Sequence, residues 1–174
     1  MATHQGETAC NLEASLLSLE NQILKLDQIV LVIDGPVDDA QTKLINQFIE
    51  KKNDIDFTII SLPKNGGLAT ALNHGLAACE GDYIMRMDSD DLSLPDRLLL
   101  EKSYLDAHPK IDLVATWSSE FYDGDEDLCL KISPTEHDAI VQALRWRNII
   151  AHPSILVRKE ALMRIGGYRT TVSL

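Results

Sequence analysis

The sequence has few cysteines and no long apolar run. Cys10, Cys79 and Cys129 lie far apart and form no CxxC pair, which argues against a zinc site because zinc needs more ligands at closer spacing. We expect three buried thiols in a reducing compartment. No apolar stretch approaches the roughly 20 residues that span a bilayer, and no signal peptide is recognisable. The expected location is therefore the cytoplasm, and attachment to the inner face of the cell membrane through another segment of a longer protein stays open.

Positive charge is also scarce. The 16 Lys and Arg residues face 27 Asp and Glu residues, for a net charge of -11, and there is no basic stripe. A nucleic-acid partner is excluded on these grounds. An acidic protein can still bind a phosphate when a metal ion lies between the two and reverses the local charge.

Three common nucleotide and catalytic motifs are missing as well. No GxxxxGK[ST] loop, no GxGxxG fingerprint and no GxSxG elbow occurs in the chain, which argues against P-loop enzymes, dinucleotide-binding domains and α/β-hydrolases.

Apolar strands alternate with helical patterns through the first half of the chain. Strands are predicted over 28–33, 57–61 and 83–87, and helices over 12–23, 38–51 and 68–78. This alternation predicts an α/β fold with a mostly parallel central sheet flanked by helices, in a single domain over residues 1–174. Later segments predict helices over 98–107, 135–146 and 160–165, with strands over 113–117 and 154–157. Ligands of such sheets bind beyond the carboxyl ends of the strands, where Asp34 and Asp88 both lie.

The most informative segment is Asp88-Ser89-Asp90-Asp91, which places three carboxylates directly after an apolar strand. Close carboxylates repel one another unless a cation joins them. Their hard oxygens suit Mg²⁺ or Mn²⁺, which two carboxylates and a diphosphate commonly hold together. The alternative is that Asp and Ser favour turns and helix caps, but the position at the strand's carboxyl end favours a site.

A second acidic run, Asp123 to Asp127, has a different interpretation. It imitates the start of a calcium loop, but Leu128 stands where that loop needs Gly and Pro134 where it needs Glu. We predict a solvated hairpin turn.

Several motifs in this order resemble the family 2 glycosyltransferases of the GT-A fold. They are Asp34-Gly35-Pro36 after the strand, Lys64-Asn65-Gly66-Gly67-Leu68 through Asn73-His74-Gly75, Met87 to Asp91 through Pro95-Asp96-Arg97, and Gly166-Gly167-Tyr168. The resemblance covers nearly the whole chain, and the order and spacing are more specific than any one motif. It implies inverting transfer of a sugar from a nucleoside diphosphate, with UDP expected, to an acceptor hydroxyl.

The resemblance also implies roles for single residues. Asp90 is the expected metal ligand, with Asp88 towards the ribose or the metal, and Asp91 either beside the sugar or just behind the metal ligands. The expected nucleotide-sugar contacts come from four parts of the chain: Thr3, His4, Asp34, Lys64, Asn65, Asn73, Asp88 and Ser89. His4 replaces the usual Tyr beside the base but can still stack. For Asn73, a hydrogen bond within its own helix is an equally good interpretation.

Arg86 and His152 have structural alternatives. Arg86 lies on the same side of its strand as Asp88, so pairing with a cluster carboxylate is favoured over direct contact with a diphosphate. His152 can reach the acceptor or the metal, but a structural hydrogen bond is favoured.

Compared with the family, both ends of the chain look short. The first strand is expected to be mostly lacking, and the general base is expected beyond Leu174, with Asp91 as the candidate inside the chain. The resemblance implies a nucleotide-sugar donor, a glycan or lipid-linked acceptor in cell-envelope polysaccharide synthesis, and Mn²⁺ or Mg²⁺. Two alternatives are a non-catalytic nucleotide-sugar- or partner-binding remnant of this fold, and a sugar nucleotidyltransferase. A sugar nucleotidyltransferase should carry a Gly-rich loop with Lys or Arg near its first strand, and no such loop follows Thr3.

Overall fold

The computed structural model describes residues 1–51, 55–121 and 129–171. Six α-helices lie in these ranges: α1 (Ala9–Glu20), α2 (Asp39–Glu50), α3 (Leu68–Ala78), α4 (Arg97–Ala107), α5 (His137–Leu144) and α6 (Lys159–Arg164). Eight strands accompany them: β1 (Ala2–Thr3), β2 (Gln28–Asp34), β3 (Asp56–Leu62), β4 (Tyr83–Met85), β5 (Leu113–Ala115), β6 (Ser118–Glu120), β7 (Cys129–Lys131) and β8 (Ile155–Arg158). The predicted α/β class is confirmed.

The strands form three sheets. β1, β2 and β3 are parallel, with β2 in the middle and Ala2 opposite Val32. β4 and β5 both pair antiparallel with β8, and β6 pairs antiparallel with β7. The expectation that the strand at 83–87 belongs to the parallel sheet is wrong. β1 has only two residues, and β4 hydrogen-bonds to the antiparallel strand β8 instead.

The parallel sheet packs against helices on both faces, as its continuous apolar strand predicts. On one face, the core combines β2 with apolar residues of α1 and α2, including Leu12, Leu16 and Phe48. On the other face, a Cβ on Gly75 of α3 would lie 3.2 Å from Val32, so glycine lets α3 approach β2 closely. This packing fixes the carboxyl ends of β1 and β2.

Several helix ends differ from the predictions. α1 begins at Ala9 and not at residue 12, because the Thr8 side chain caps it by accepting the Asn11 N–H at 3.1 Å. α5 begins at His137, two residues after the predicted start. α4 begins at Arg97, one residue before the predicted start. These positions are one to three residues from those predicted, as is usual for helix ends.

The cysteine prediction was wrong in part. All three thiols are free, but Cys10 and Cys129 are exposed and only Cys79 is partly buried. Cys10 lies on the solvent side of α1, and Cys129 lies in the exposed strand β7. The predicted turn at Asp123–Asp127 and the end of the chain at Leu174 fall outside the described ranges. Within those ranges, no helix combines the length and the apolar character that crossing a membrane requires.

Candidate functional site

Two residues, Arg86 and Met87, separate the end of β4 from the acidic cluster. Asp88, Asp90 and Asp91 each place a carboxylate oxygen within 4.8 Å of the others. Asp90 is exposed, whereas Asp88 and Asp91 are partly buried. Three hard oxygen donors at this spacing fit a divalent cation such as Mg²⁺ or Mn²⁺.

Arg86 provides the positive charge next to this cluster. Its guanidinium is 3% exposed and Nη1 contacts Asp88 Oδ2, which confirms the predicted pairing. Burial raises the pKa of Asp91, and the nearby Asp88 and Asp90 carboxylates raise it further. Arg86 pairs with only one of the three carboxylates. The cluster therefore keeps a net negative charge, which a bound cation would neutralise.

Helix α1 holds the backbone of the cluster. Ser15 Oγ donates to the Asp88 carbonyl at 2.9 Å, and the Ser93 N–H donates to Ser18 Oγ at 3.0 Å. Just after α1, the buried Gln22 donates to the Leu94 carbonyl at 2.8 Å. Both ends of the acidic segment are thereby tied to one helix.

A buried ion pair lies beneath the cluster. Arg97 Nη2 donates to the carbonyls of Arg86 at 3.1 Å and Ile155 at 3.2 Å, and Nε pairs with Glu101 at 3.2 Å. Burial raises the pKa of Glu101 to about 7, although the Arg97 charge acts to lower it. Arg97 thus joins the end of β4 to β8 at the point where the acidic segment begins.

Asp34 lies at the carboxyl end of β2 and is 5% exposed. Its two carboxylate oxygens accept the N–H groups of Gly66 at 2.7 Å and Gly67 at 3.0 Å. Gly35 has φ of 88°, and a Cβ there would lie 2.6 Å from the Asn65 nitrogen. The turn at Asp34-Gly35 and the loop Asn65-Gly66-Gly67, called the glycine loop below, therefore fix each other's position.

The segment after β1 lies close to the acidic cluster. Thr3 is buried, its hydroxyl has no hydrogen-bond partner among the described residues, and the His4 side chain is exposed. Gln41 of α2 is fully buried and donates to the carbonyls of His4, at 3.1 Å, and Glu7. Glu7 also accepts a long 3.5 Å bond from Ser89. This bond brings the segment after β1 and the cluster together.

The remaining predicted residues have different surroundings. Lys64 and Asn65 are exposed in the loop after β3. The Asn73 amide bonds both ways with the Tyr168 backbone, at 2.8 Å each, so its hydrogen bonds do not lie within its own helix. His152 is partly buried, with its ring edge-on to Tyr168 at 5.4 Å, and burial lowers the pKa of His152 to about 4.

The structure thus places Asp34 at the carboxyl end of β2, as predicted, whereas Asp88 lies three residues beyond the end of β4. Sequence reasoning missed Gln41 and the Glu101 partner of Arg97. The four-residue spacing of Arg97 and Glu101 is a signal that would have found the pair. Nothing in the sequence marks Gln41, because its partners are backbone carbonyls.

Known proteins with similar sequences include bacterial glycosyltransferases. The amylovoran biosynthesis glycosyltransferase AmsE of Erwinia amylovora is 36% identical over 97% of this chain and 62% of its own length. The UDP-Gal:alpha-D-GlcNAc-diphosphoundecaprenol beta-1,3-galactosyltransferase of Escherichia coli is 28% identical over 97% of this chain and 60% of its own. The chain therefore spans less than two thirds of either relative.

Among solved structures, the mannosyltransferase PcManGT of Pyrobaculum calidifontis, in complex with GDP-Man and Mn²⁺, shares the fold. Its TM-score is 0.72 at 20% sequence identity, over 98% of this chain and 46% of that one. The profile of the glycosyl transferase family 2 matches residues 1–166, and the chain belongs to this family.

Proposed function

We propose that the chain binds a nucleoside diphosphate sugar, with UDP as the preferred nucleotide, through Mn²⁺ or Mg²⁺ held by Asp90 and Asp88. The observation that supports this most is the group of three carboxylates within 4.8 Å at the end of β4. A bound divalent ion would neutralise the diphosphate and stabilise it as a leaving group. The reaction is an inverting transfer to an acceptor hydroxyl.

The nucleoside would lie between the segment after β1 and the glycine loop. The Asp34 carboxylate is held by two backbone N–H groups, and its oxygens keep lone pairs that can accept an N–H of a nucleobase. The exposed His4 ring can stack on the base, and the Thr3 hydroxyl has hydrogen-bonding capacity to spare. Lys64, Asn65, Asn73 and Ser89 complete the proposed donor site.

An inverting transfer needs a base beside the attacking hydroxyl. Asp91 is the candidate within the described chain, because its raised pKa makes it a stronger base than an ordinary Asp. We propose that the main base is instead supplied by residues that follow Leu174 in a longer protein. The two bacterial relatives, which are much longer than the region matched, support this proposal.

The acceptor is proposed from the relatives' names. One acts in amylovoran biosynthesis and the other on a diphosphoundecaprenol-linked sugar. We therefore propose a glycan or lipid-linked acceptor in cell-envelope polysaccharide synthesis, with peripheral membrane association of the full protein at the inner face.

Isothermal titration calorimetry with UDP, with and without Mn²⁺, tests the donor site. We expect Mn²⁺-dependent binding of UDP, weaker binding of GDP, and at least a tenfold loss of UDP affinity in Asp90→Ala. Asp56→Asn is the matched control, since this exposed carboxylate lies at the start of β3, at the opposite edge of the sheet. Metal-independent binding, or equal affinity in Asp90→Ala and Asp56→Asn, would refute the metal site.

A second measurement separates an enzyme from a non-catalytic remnant of the fold. UDP release from UDP-sugars is followed for this chain and for a form extended beyond Leu174. Turnover that appears only in the extended form supports a base outside the 174 residues. Binding without turnover in both forms would support the non-catalytic alternative.

A further inference from the structure

Both tryptophans of the chain have their rings at the surface. Trp146 is 90% exposed and Trp117 is 49% exposed. Tryptophan is largely buried in most folded proteins, because its ring is a large apolar group. A single apolar residue on a surface needs no explanation, but a group of them marks a binding surface. The surroundings of the two rings therefore decide what they mean.

Helix α5, next to Trp146, has an apolar face that the described residues leave uncovered. None of its residues is buried. Val141 and Leu144 are 40% and 43% exposed and, being three residues apart, lie on the same side of the helix. The chain then turns, and the Trp146 N–H donates to the Ala143 carbonyl at 3.0 Å, which keeps the indole at the end of α5. These side chains and the two that flank Trp146 are called the α5 surface below: Val141, Leu144, Arg145, Trp146 and Arg147.

The segment before α5 has the same exposed apolar character. Leu130 and Ile132 are alternate residues at the end of β7, so they share one side of the strand, and they are 52% and 64% exposed. Trp117 Nε1 donates to the Ser133 carbonyl at 3.0 Å, which holds the second tryptophan beside the chain that joins β7 to α5. Exposed apolar side chains thus follow one another from β7 to the end of α5.

The sign of the charge is reversed in this part of the chain. Residues 129–174 contain seven Lys and Arg and three Asp and Glu, a net charge of +4, whereas the whole chain carries -11. Arg145 and Arg147 flank Trp146 and are both exposed. Within the described ranges, neither guanidinium has an ion pair or a side-chain hydrogen bond, unlike Arg164, which pairs with Asp112 at 2.6 Å. The α5 surface therefore combines an exposed indole with two free positive charges.

An anionic lipid bilayer has the chemistry that fits this surface. Tryptophan is enriched where lipid headgroups meet hydrocarbon, and Arg is attracted to anionic headgroups while its apolar stem stays in the interface. Residues 1–128 contain nine Lys and Arg and 24 Asp and Glu, a net charge of -15, so an anionic surface repels the rest of the chain. A neutral glycan would use the exposed rings but would leave the two arginines without a role.

We propose that the α5 surface docks the protein on an anionic bilayer, with Trp146 at the level of the headgroups and Arg145 and Arg147 on lipid phosphates. The surface lies near the donor site, since five residues of chain lead from Arg147 to His152 and span at most about 18 Å. His152 begins the turn that leads into β8, the strand that pairs with β4 just before the acidic segment. Docking would therefore hold the acidic cluster close to the bilayer, where a lipid-linked acceptor lies. Only this last link rests on the proposed function.

Vesicle sedimentation tests the docking. The chain is mixed with vesicles of pure phosphatidylcholine and with mixed vesicles in which a third of the lipid is phosphatidylglycerol. We expect at least tenfold tighter binding to the mixed vesicles. Combining Arg145→Gln with Arg147→Gln should weaken this binding by about 25-fold, since each cation near an anionic surface contributes about a fivefold preference.

The matched control removes two exposed cations from other elements, through Lys43→Gln in α2 and Lys110→Gln in the loop before β5. It should change binding by less than about twofold, because the attraction falls off within a Debye length of the membrane surface. Equal losses in the arginine and lysine variants, or equal binding of the wild-type chain to both kinds of vesicle, would overturn the proposal.

Tryptophan fluorescence locates the indole. In Trp117→Phe, Trp146 is the only tryptophan, and we expect its emission to move to shorter wavelength when the mixed vesicles are added. An unchanged emission would contradict the docking. A shift that needs no vesicles and grows with protein concentration would overturn it too, because a second copy of the chain would then cover the ring. A shift caused by dextran and not by vesicles would assign the surface to a glycan instead.

The donor site is measured separately in the same variants. Calorimetry with UDP and Mn²⁺, without vesicles, should give unchanged affinities in the arginine, lysine and Trp117→Phe variants. Vesicle binding by a chain that does not bind UDP would refute the proposed donor site and leave the docking surface intact. UDP binding without vesicle binding would refute the docking surface alone.

Discussion

Arg97 illustrates how one buried side chain stabilises the base of the acidic cluster. It donates to the carbonyls of Arg86 and Ile155 and pairs with Glu101, which is 2% exposed. Removing one partner of a buried pair costs about 3–5 kcal/mol because the other charge stays buried, whereas replacing both by apolar residues is often nearly neutral. Losing one partner of the Arg97–Glu101 pair should therefore destabilise the fold more than replacing both partners.

We predict that Arg97→Met lowers the free energy of unfolding by about 3 kcal/mol and that Arg97→Met with Glu101→Leu recovers more than half of that loss. The matched control is Lys102→Met, which breaks the Lys102–Asp106 pair on the same helix, whose side chains are 40% and 47% exposed. That change should cost less than about 1 kcal/mol. Urea unfolding measures all three, and a double variant as unstable as the single one contradicts the prediction.

Gly166 and Gly167 offer a matched pair for a steric prediction. Both have positive φ, 84° and 76°, but a Cβ on Gly166 meets open space whereas one on Gly167 would lie 2.5 Å from Asn73 Oδ1. Gly166→Ala should cost about 1 kcal/mol from backbone strain alone. Gly167→Ala should cost at least about 1 kcal/mol more, since Asn73 must also release the Tyr168 backbone. Equal losses in thermal unfolding would show that the Asn73 contact is easily rearranged.

At the scale of whole elements, local patterns predicted α2, α3, β2 and β3 closely, because each has a regular apolar period and a clear turn or cap signal. Pairing was less predictable. Whether β4 bonds to a parallel neighbour or to β8 depends on contacts more than 70 residues away, which no local period records. The site followed the same division: strand-end carboxylates were predictable, whereas Gln22 and Gln41 were not, since amides bonded to backbone carbonyls leave no pattern.

Gln22 connects two elements and allows a test at this scale. Its amide nitrogen donates to Ser93 at 3.1 Å and Leu94 at 2.8 Å, and its oxygen accepts the Leu98 N–H at 3.0 Å, where α4 begins. Gln22→Leu leaves these buried groups unpaired, so we expect a loss of about 3 kcal/mol in unfolding free energy. We also expect at least threefold weaker Mn²⁺ binding, measured by calorimetry, because the acidic segment is no longer held at its far end. Asn21→Ala, at the exposed neighbouring position, is the control and should change neither quantity appreciably.

At the scale of the whole molecule, pH acts on stability through two buried groups outside the acidic cluster. Burial lowers the pKa of the Met1 ammonium from 8.0 to about 6, whereas burial raises the pKa of Glu101 from 4.5 to about 7. Between pH 6 and 8 the unfolded chain binds more protons at Met1 than the folded chain does, so this group makes stability rise with pH. Glu101 has the opposite sign, and its contribution falls between pH 4.5 and 7. Over the shared interval the two effects partly cancel.

Acetylation of the Met1 amine separates the pH effect of Met1 from that of Glu101. It removes the charge and leaves Glu101 unchanged, so the difference in unfolding free energy between the two forms isolates the ammonium. Two pKa units correspond to about 2.7 kcal/mol, and we expect the acetylated chain to be more stable by up to this amount at pH 6, with the gap closing by pH 8. Urea unfolding at half-unit steps of pH measures it. A gap that does not change with pH would mean that the Met1 ammonium reaches water in the folded chain, despite its bond to the Val30 carbonyl.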